Sequence, residues 1–264
     1  MSLSRRSVLV GGATVSMTAT LGACGREPGV DERSPAMDAS TAEVRRGRLA
    51  FRPPEQPRAA TGRTGTFAMS GGGGAPPAEL HVPALDGREP LRLVVMLHGA
   101  GGVARSALDR LRGAADAHRL LVLAPKSTST TWDVIGGGYG PDVRNLDRLL
   151  AELAAAYPLR GFTIGGFSDG ASYALSLGIG NGDVFDSVIA FSPGFQAAGT
   201  TNGRPDFFVS HGTADRVLPI DRCSRRIVPA LEDAGYDVTY HEFDGGHVVP
   251  EPVRDEAVAW LDAR

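Results

Sequence analysis

Hydrophobic and polar positions divide the chain into a polar first part and a longer region where short apolar runs alternate with amphipathic segments. The apolar runs, which predict buried strands, are residues 91–97, 120–124, 162–166, 187–191, 207–210 and 238–243. Apolar residues at helical spacing predict helices over 103–118, from about Asp142, and over 168–177, 223–234 and 252–261. Alternating strands and helices indicate the α/β class, with a mostly parallel sheet covered by helices on both faces.

The first residues have the pattern of an export signal. Arg5 and Arg6 precede an uncharged, moderately apolar stretch that is too short and too interrupted to span a bilayer. We therefore expect residues 1–23 to be a signal peptide. The segment around the two arginines resembles the twin-arginine signal, with general secretion as the alternative.

Cys24 closes the tetrapeptide Leu-Gly-Ala-Cys, which resembles the bacterial lipobox. Its position directly after the signal predicts lipid attachment at Cys24, a membrane-anchored lipoprotein and an extracytoplasmic location. The alternative is an ordinary signal peptide in which Cys24 is incidental. Residues 24–63 are rich in Pro, Arg, Ala and acidic residues and predict a flexible tether, which leaves 64–264 as the folded domain.

Composition excludes several classes of function. A net charge of -3 and 22% charged residues do not indicate a nucleic-acid partner, whereas 42% hydrophobic residues are typical of a folded core. The 2 cysteines are too few for a disulfide framework, and we expect Cys223 to be a buried lone thiol. The histidines and Cys223 show no metal-ligand spacing, and the sequence indicates no cofactor.

One five-residue motif carries the predicted chemistry. Gly166-Phe167-Ser168-Asp169-Gly170 matches G-x-S-x-G and lies between a predicted strand and a predicted helix, as a nucleophile elbow requires. Glycines two residues before and two residues after the serine relieve clashes at the strained turn. Ser168 is therefore the predicted nucleophile.

The general base should follow the nucleophile in the chain, after the last strand. Of the six histidines, His81, His98 and His118 precede Ser168, whereas His211, His241 and His247 follow it. His211 ends one predicted strand and His241 lies within another. His247 lies in the loop before the last helix and is the predicted base.

The acid that orients the base should come from a strand between these two residues. Asp215, which follows the 207–210 strand after a short turn, is the predicted acid. Its competitors are Asp206, before the strand, Asp221, which is better placed as a helix cap, and Asp244.

The predicted oxyanion hole uses two backbone N–H groups. One belongs to Asp169, directly after the nucleophile, and the other to the glycine-rich loop 98–102. We assign the second to Ala100, with Gly101 as the alternative, and expect His98 to be structural.

Four loops together carry a family resemblance: residues 97–102, 165–171, 211–219 and 245–247. They are similar to those of small α/β-hydrolases of the phospholipase/carboxylesterase and polyhydroxybutyrate-depolymerase-like esterase group, from about Leu91 to the C-terminus. Many relatives have Gln where this chain has Asp169. The resemblance implies an α/β-hydrolase fold and a serine carboxylic ester hydrolase.

The segment between the 187–191 and 207–210 strands is too short for a large cap domain, so an open site is expected. Trp132 is a candidate substrate contact, and an anchoring role for the same side chain is the alternative. The predicted partner is a small-molecule or polymeric ester. An acyltransferase, a peptidase or a non-catalytic surface lipoprotein are the competing interpretations.

Overall fold

The computed structural model describes residues 39–56, 62–84 and 90–264. The predicted signal peptide and Cys24 lie outside these residues. The helices are α1 (Ala39–Val44), α2 (Ala104–Ala115), α3 (Pro141–Ala156), α4 (Asp169–Gly180), α5 (Ser224–Asp233) and α6 (Glu251–Asp262). The strands are β1 (Gly65–Met69), β2 (Ala78–Val82), β3 (Leu91–Leu97), β4 (Leu120–Ala124), β5 (Leu159–Phe167), β6 (Ser187–Phe191), β7 (Asp206–Gly212) and β8 (Val238–Phe243).

The strands form one 8-stranded sheet in the order β1-β2-β4-β3-β5-β6-β7-β8. β2 pairs antiparallel with β1 and β4, and every other neighbouring pair is parallel. The mostly parallel α/β sheet predicted from the sequence is confirmed. Because β3, β5, β7 and β8 run in the same direction, the loops that follow them meet at one edge of the sheet.

Two apolar layers cover the two faces of the sheet. On β3, Leu93 and Val95 belong to a core that includes apolar residues of α3 and α4. Val94 and Met96 point the other way, into a core shared with α2 and α6. This alternation buries both faces, which is why the strands read as continuous apolar runs.

The chain between β6 and β7 contains no helix or strand, and the structure describes that segment throughout. The expectation that no large cap domain covers the site is therefore met. Among the helices that the structure describes, none has the length and apolar character needed to cross a bilayer.

The predicted tether boundary at residue 63 needs correction, because residues 39–56 pack on the domain. Arg48 is only 7% exposed and pairs with Asp183 at 2.8 Å. Leu49 is 2% exposed, and its backbone N–H donates to Asn181 Oδ1 at 2.9 Å. A polar, proline-containing composition did not reveal that this segment is held by a few specific contacts.

Candidate active site

Ser168 lies at the turn between β5 and α4, and its backbone is strained. Its φ of 58° and ψ of -121° place a non-glycine residue at positive φ. The backbone N–H donates to Phe191 O of β6 at 2.9 Å, which holds the turn against the sheet. This is the geometry that a nucleophile elbow requires.

Glycine is needed on both sides of the turn, as the motif predicted. A Cβ on Gly166 would overlap the backbone of Gly170 and Ala171. A Cβ on Gly170 would overlap the carbonyl groups of Leu97 and His98 at the end of β3. Only glycine therefore lets the elbow lie this close to the neighbouring strand.

Asp215 and His247 form a hydrogen-bonded pair after β7 and β8. The distance between His247 Nδ1 and Asp215 Oδ2 is 2.6 Å, and the Asp215 side chain is fully buried. Asp215 Oδ1 accepts the backbone N–H groups of Val217 at 2.8 Å and Leu218 at 2.9 Å. Burial raises the pKa of Asp215, but the hydrogen bonds from Leu218 and His247 outweigh it and lower the pKa overall. Asp215 is therefore a carboxylate that accepts the Nδ1 proton.

The His247 ring packs on Phe167, the residue directly before Ser168. The two ring centroids are 4.6 Å apart, with the planes at 37°. The guanidinium carbon of Arg110 lies 4.4 Å from the centroid of the same phenyl ring. No hydrogen bond between the Ser168 hydroxyl and His247 is present in the described part of the chain. In enzymes without substrate this contact is often long.

The predicted oxyanion loop contacts the elbow. A Cβ on Gly99 would lie 3.2 Å from Ser168 Cβ, so the loop backbone lies directly against Ser168. The N–H of Gly101, the alternative donor, is already donated to Thr130 O at 2.8 Å. Ala100 therefore remains the better candidate, together with Asp169 at the first position of α4.

His98 links the oxyanion loop to the loop after β4 by hydrogen bonds, which is the structural role expected for it. Its Nδ1 lies 2.7 Å from Gly99 O, and its Nε2 accepts the backbone N–H of Ser127 at 3.1 Å. Burial is the main cause that lowers the pKa of His98, which favours the neutral ring required by these two contacts.

Trp132 is placed in the core, so its assignment as a substrate contact is corrected. It is 2% exposed and stacks on Tyr173 with ring centroids 5.2 Å apart. Its Nε1 donates to His98 O at 2.8 Å. The side chain therefore anchors the loop after β4, which was the alternative interpretation.

The competing candidates make other contacts, although His211 also borders the predicted acid, with its Nε2 3.3 Å from Asp215 Oδ2. His211 is fully buried, with its ring nitrogens 2.7 Å from Ser224 Oγ and 2.8 Å from Leu218 O. His241 pairs with Glu256 at 2.8 Å, and Asp221 pairs with Arg225 at 2.7 Å. Among the described residues, no group of 3 or more His, Cys, Asp or Glu side chains is arranged to hold a metal ion.

Two cavities lie away from these residues. One of about 280 Å³ lies between α4 and α5 and is lined by Ile179, Ile227 and Leu231 among others. Another, of about 400 Å³, is lined by Gly72–Gly74, Arg144 and Arg148. Neither is lined by Ser168, Asp215 or His247. The candidate site is therefore identified by the arrangement of Ser168, Asp215 and His247 and not by the volume of a cavity.

Comparisons with known proteins agree with this geometry. No protein-family model and no curated protein matches the sequence. Among solved structures, esterase PE8 is 26% identical, with a TM-score of 0.59 over 72% of this chain and 97% of that one. A phospholipase/carboxylesterase from Dyadobacter fermentans is 23% identical, with a TM-score of 0.53 over 71% and 96%. A Bacillus cereus carboxylesterase is 20% identical, with a TM-score of 0.56 over 70% and 93%.

The predicted α/β-hydrolase fold is confirmed, and the predicted enzyme class, a serine carboxylic ester hydrolase, is that of these neighbours.

Proposed function

We propose that this chain, which has the α/β-hydrolase fold, cleaves carboxylic esters through an acyl-enzyme on Ser168 and works outside the cytoplasm on a lipid anchor. One observation carries the catalytic part. A buried carboxylate, Asp215, holds the Nδ1 edge of His247 while that ring packs on Phe167, which directly precedes the strained Ser168. A serine hydroxyl is a weak nucleophile, and a base oriented in this way activates it.

In the first half of the reaction, Ser168 Oγ bonds to the ester carbonyl carbon as its proton moves to His247 Nε2. The backbone N–H groups of Ala100 and Asp169 accommodate the negative charge on the carbonyl oxygen. The C–O bond to the alcohol then breaks, and His247 returns the proton to the leaving oxygen. The buried Asp215 carboxylate stabilises the imidazolium that exists between the two transfers.

The second half repeats these steps with water. His247 Nε2 takes a proton from a water molecule while the oxygen of that water bonds to the acyl carbon. The bond to Ser168 Oγ breaks, the proton returns to the serine, and the carboxylic acid leaves. A metal ion is not needed for either half, because the base and the two N–H donors supply the proton transfers and the charge stabilisation.

The proposed location rests on the sequence before the domain. The basic, apolar signal predicted over residues 1–23 is followed directly by Cys24, and the residues that the structure describes begin at Ala39. With two or more acyl chains on Cys24, membrane attachment would be stable, since each buried methylene contributes about 0.8 kcal/mol. Growth with labelled palmitate should mark the full chain and not Cys24→Ala; label on Cys24→Ala would contradict the anchor.

The catalytic proposal is tested on the purified domain with a fluorophosphonate probe and p-nitrophenyl acetate. We expect labelling at Ser168 and ester hydrolysis, and loss of both in Ser168→Ala. Ser70→Ala, which removes an exposed hydroxyl far along the chain from the elbow, is the matched control and should behave as wild type. Hydrolysis by Ser168→Ala at the wild-type rate would overturn the mechanism, and a wild type that is neither labelled nor active would favour a non-catalytic lipoprotein.

A further inference from the structure

Arg110 is a charged side chain close to the candidate site that has no part in the proposed reaction. It lies on α2, whose N-terminus follows the oxyanion loop at the carboxyl edge of the sheet. The side chains of a helix lean toward its N-terminus, so a long side chain on α2 extends toward that edge. Its guanidinium carbon lies 4.4 Å from the centre of the Phe167 ring, directly before the nucleophile in the chain.

Phe167 places this charge near the general base. The centre of its ring is 4.6 Å from that of His247, so one phenyl ring contacts both the guanidinium and the imidazole. The two distances together are shorter than the Debye length of about 10 Å in 0.1 M salt. The charge of Arg110 therefore acts on the His247 ring and on a substrate bound beside that ring.

Arg110 has no partner of opposite charge. None of its nitrogen atoms donates a hydrogen bond to another residue that the structure describes, and its Nε is buried. The side chain is half-buried, and burial alone lowers the pKa of Arg110, whereas the hydrogen bond to Asp183 raises the pKa of the buried Arg48. A contact with a phenyl ring offsets only part of the cost of removing a guanidinium from water.

The acidic residues of the candidate site do not supply the missing partner. Asp215 is hydrogen-bonded to His247, and the Asp169 carboxylate accepts the Thr131 hydroxyl at 2.7 Å. A guanidinium binds a carboxylate through two parallel hydrogen bonds. The half-buried, unpaired guanidinium of Arg110 is therefore suited to an anionic group that a ligand brings to the site.

We propose that Arg110 is a specificity-determining residue that binds an anionic group of the substrate, and that the substrate is an ester carrying a carboxylate, such as the monoester of a dicarboxylic acid. This proposal rests on the proposed function. The carboxylate pairs with Arg110 while the ester carbonyl is attacked by Ser168. Arg110 takes no part in bond formation or proton transfer, so its replacement should alter the preference between substrates more than the rate on a neutral ester.

The test compares two esters that release the same p-nitrophenol and differ in charge. One is the p-nitrophenyl monoester of adipic acid, which has a free carboxylate, and the other is the neutral methyl ester of that compound. We expect wild type to have the higher kcat/KM on the anionic ester. Arg110→Met removes the charge and keeps an unbranched side chain that can pack on Phe167. The ratio of kcat/KM for the anionic ester to that for the neutral ester should fall about 10- to 100-fold, as expected for the loss of a hydrogen bond to a charged group.

Arg112→Met is the matched control, because it makes the same change on the same helix at an exposed arginine that pairs with Asp109 at 3.0 Å. Its ratio should stay within about twofold of wild type. Arg110→Lys keeps the charge without the planar fork and should restore part of the ratio. Thermal unfolding checks that the variants are folded, and Arg110→Gln is assayed in the same way if Arg110→Met does not fold.

Three results would overturn the role of Arg110. They are a wild-type ratio in Arg110→Met, a loss by the same factor on both esters, which would show only packing on Phe167, and an equal fall of the ratio in Arg112→Met, which would show only the overall charge. A wild type that prefers the neutral ester would overturn the anionic substrate. If wild type hydrolyses neither ester, the proposed function itself fails.

Discussion

Replacing Asp215 by Asn tests whether the carboxylate sets the proton position on His247. The two side chains have the same size, so the change alters chemistry more than packing. The Asn oxygen can keep the N–H groups of Val217 and Leu218, which lie 2.8 Å and 2.9 Å from Asp215 Oδ1. The amide nitrogen then takes the place of Oδ2, 2.6 Å from His247 Nδ1.

An amide nitrogen donates, so His247 Nδ1 must become an acceptor and the ring proton must move to Nε2. A ring protonated at Nε2 cannot take the Ser168 proton. The imidazolium formed during the reaction also loses its buried counter-charge. We therefore expect kcat to fall by about 10³- to 10⁴-fold, which corresponds to roughly 4 to 5.5 kcal/mol of transition-state stabilisation.

The assay is the steady-state rate on p-nitrophenyl acetate, with urea unfolding as the check on folding. Asp221→Asn is the matched control, because Asp221 has a 77% exposed side chain paired with Arg225. It should retain kcat within about twofold, as surface pairs contribute little. Asp215→Asn that is folded and keeps a tenth of the wild-type kcat would refute the reasoning, as would an equal loss in Asp221→Asn.

Three further predictions concern the elbow, the base and the first packed segment. Gly170→Ala should lose fluorophosphonate labelling and melt at a lower temperature, because its Cβ would overlap two carbonyl groups; unchanged labelling would contradict this. Phe167→Ala should lower kcat about 10- to 100-fold by freeing the His247 ring, with a smaller effect on unfolding by urea. Asp183→Asn should lower the free energy of unfolding by about 2 kcal/mol at pH 7. The Arg48 hydrogen bond lowers the pKa of Asp183, so this stability is present above the ordinary Asp pKa and is lost as pH falls through the lowered one. A wild-type advantage in urea that does not shrink on acidification would contradict the last prediction.

Elements with strong periodicity were predicted closely from the sequence. Strands β3, β4, β6 and β8 have the predicted bounds, because each of their ends is bordered by a polar residue or a proline. Strands β1 and β2 were missed. They are short and lie on either side of the glycine-rich segment 71–74, with β1 at the edge of the sheet and β2 next to it, so their sequences carry little apolar contrast.

The packing of residues 39–56 could not be predicted from the sequence for a different reason. Arg48 is an ordinary basic residue in the sequence, and nothing near it indicates burial. Its partners, Asp183 and Gly180 O, lie more than 130 residues further along the chain. A local pattern cannot reveal a contact of that range. The same holds for Trp132, because both protein cores and binding sites contain large aromatic residues.

The sequence limits the second N–H donor of the oxyanion hole to two residues, and the structure is needed to choose between them. Ala100 and Gly101 are both small, and both follow β3 closely. What separates them is that Thr130 O, in the loop after β4, accepts the Gly101 N–H at 2.8 Å. The choice therefore depends on the packing of two loops that the sequence does not relate to each other.

The position of the acid and the base is, by contrast, a consequence of sheet register. β7 and β8 are paired up to Gly212 and Phe243, so their loops leave the sheet at the same level. The pairing continues past the strands, since Thr213 N–H donates to Phe243 O and Ala214 N–H to Gly245 O, both at 2.9 Å. A Cβ on Gly212 would overlap the carbonyl groups of this second loop. Glycine at the end of β7 thus lets the two loops touch, and Asp215 and His247, at similar distances beyond the paired ends, meet as a result. Any side chain at residue 212 should therefore separate the acid from the base, even though Gly212 takes no part in the chemistry.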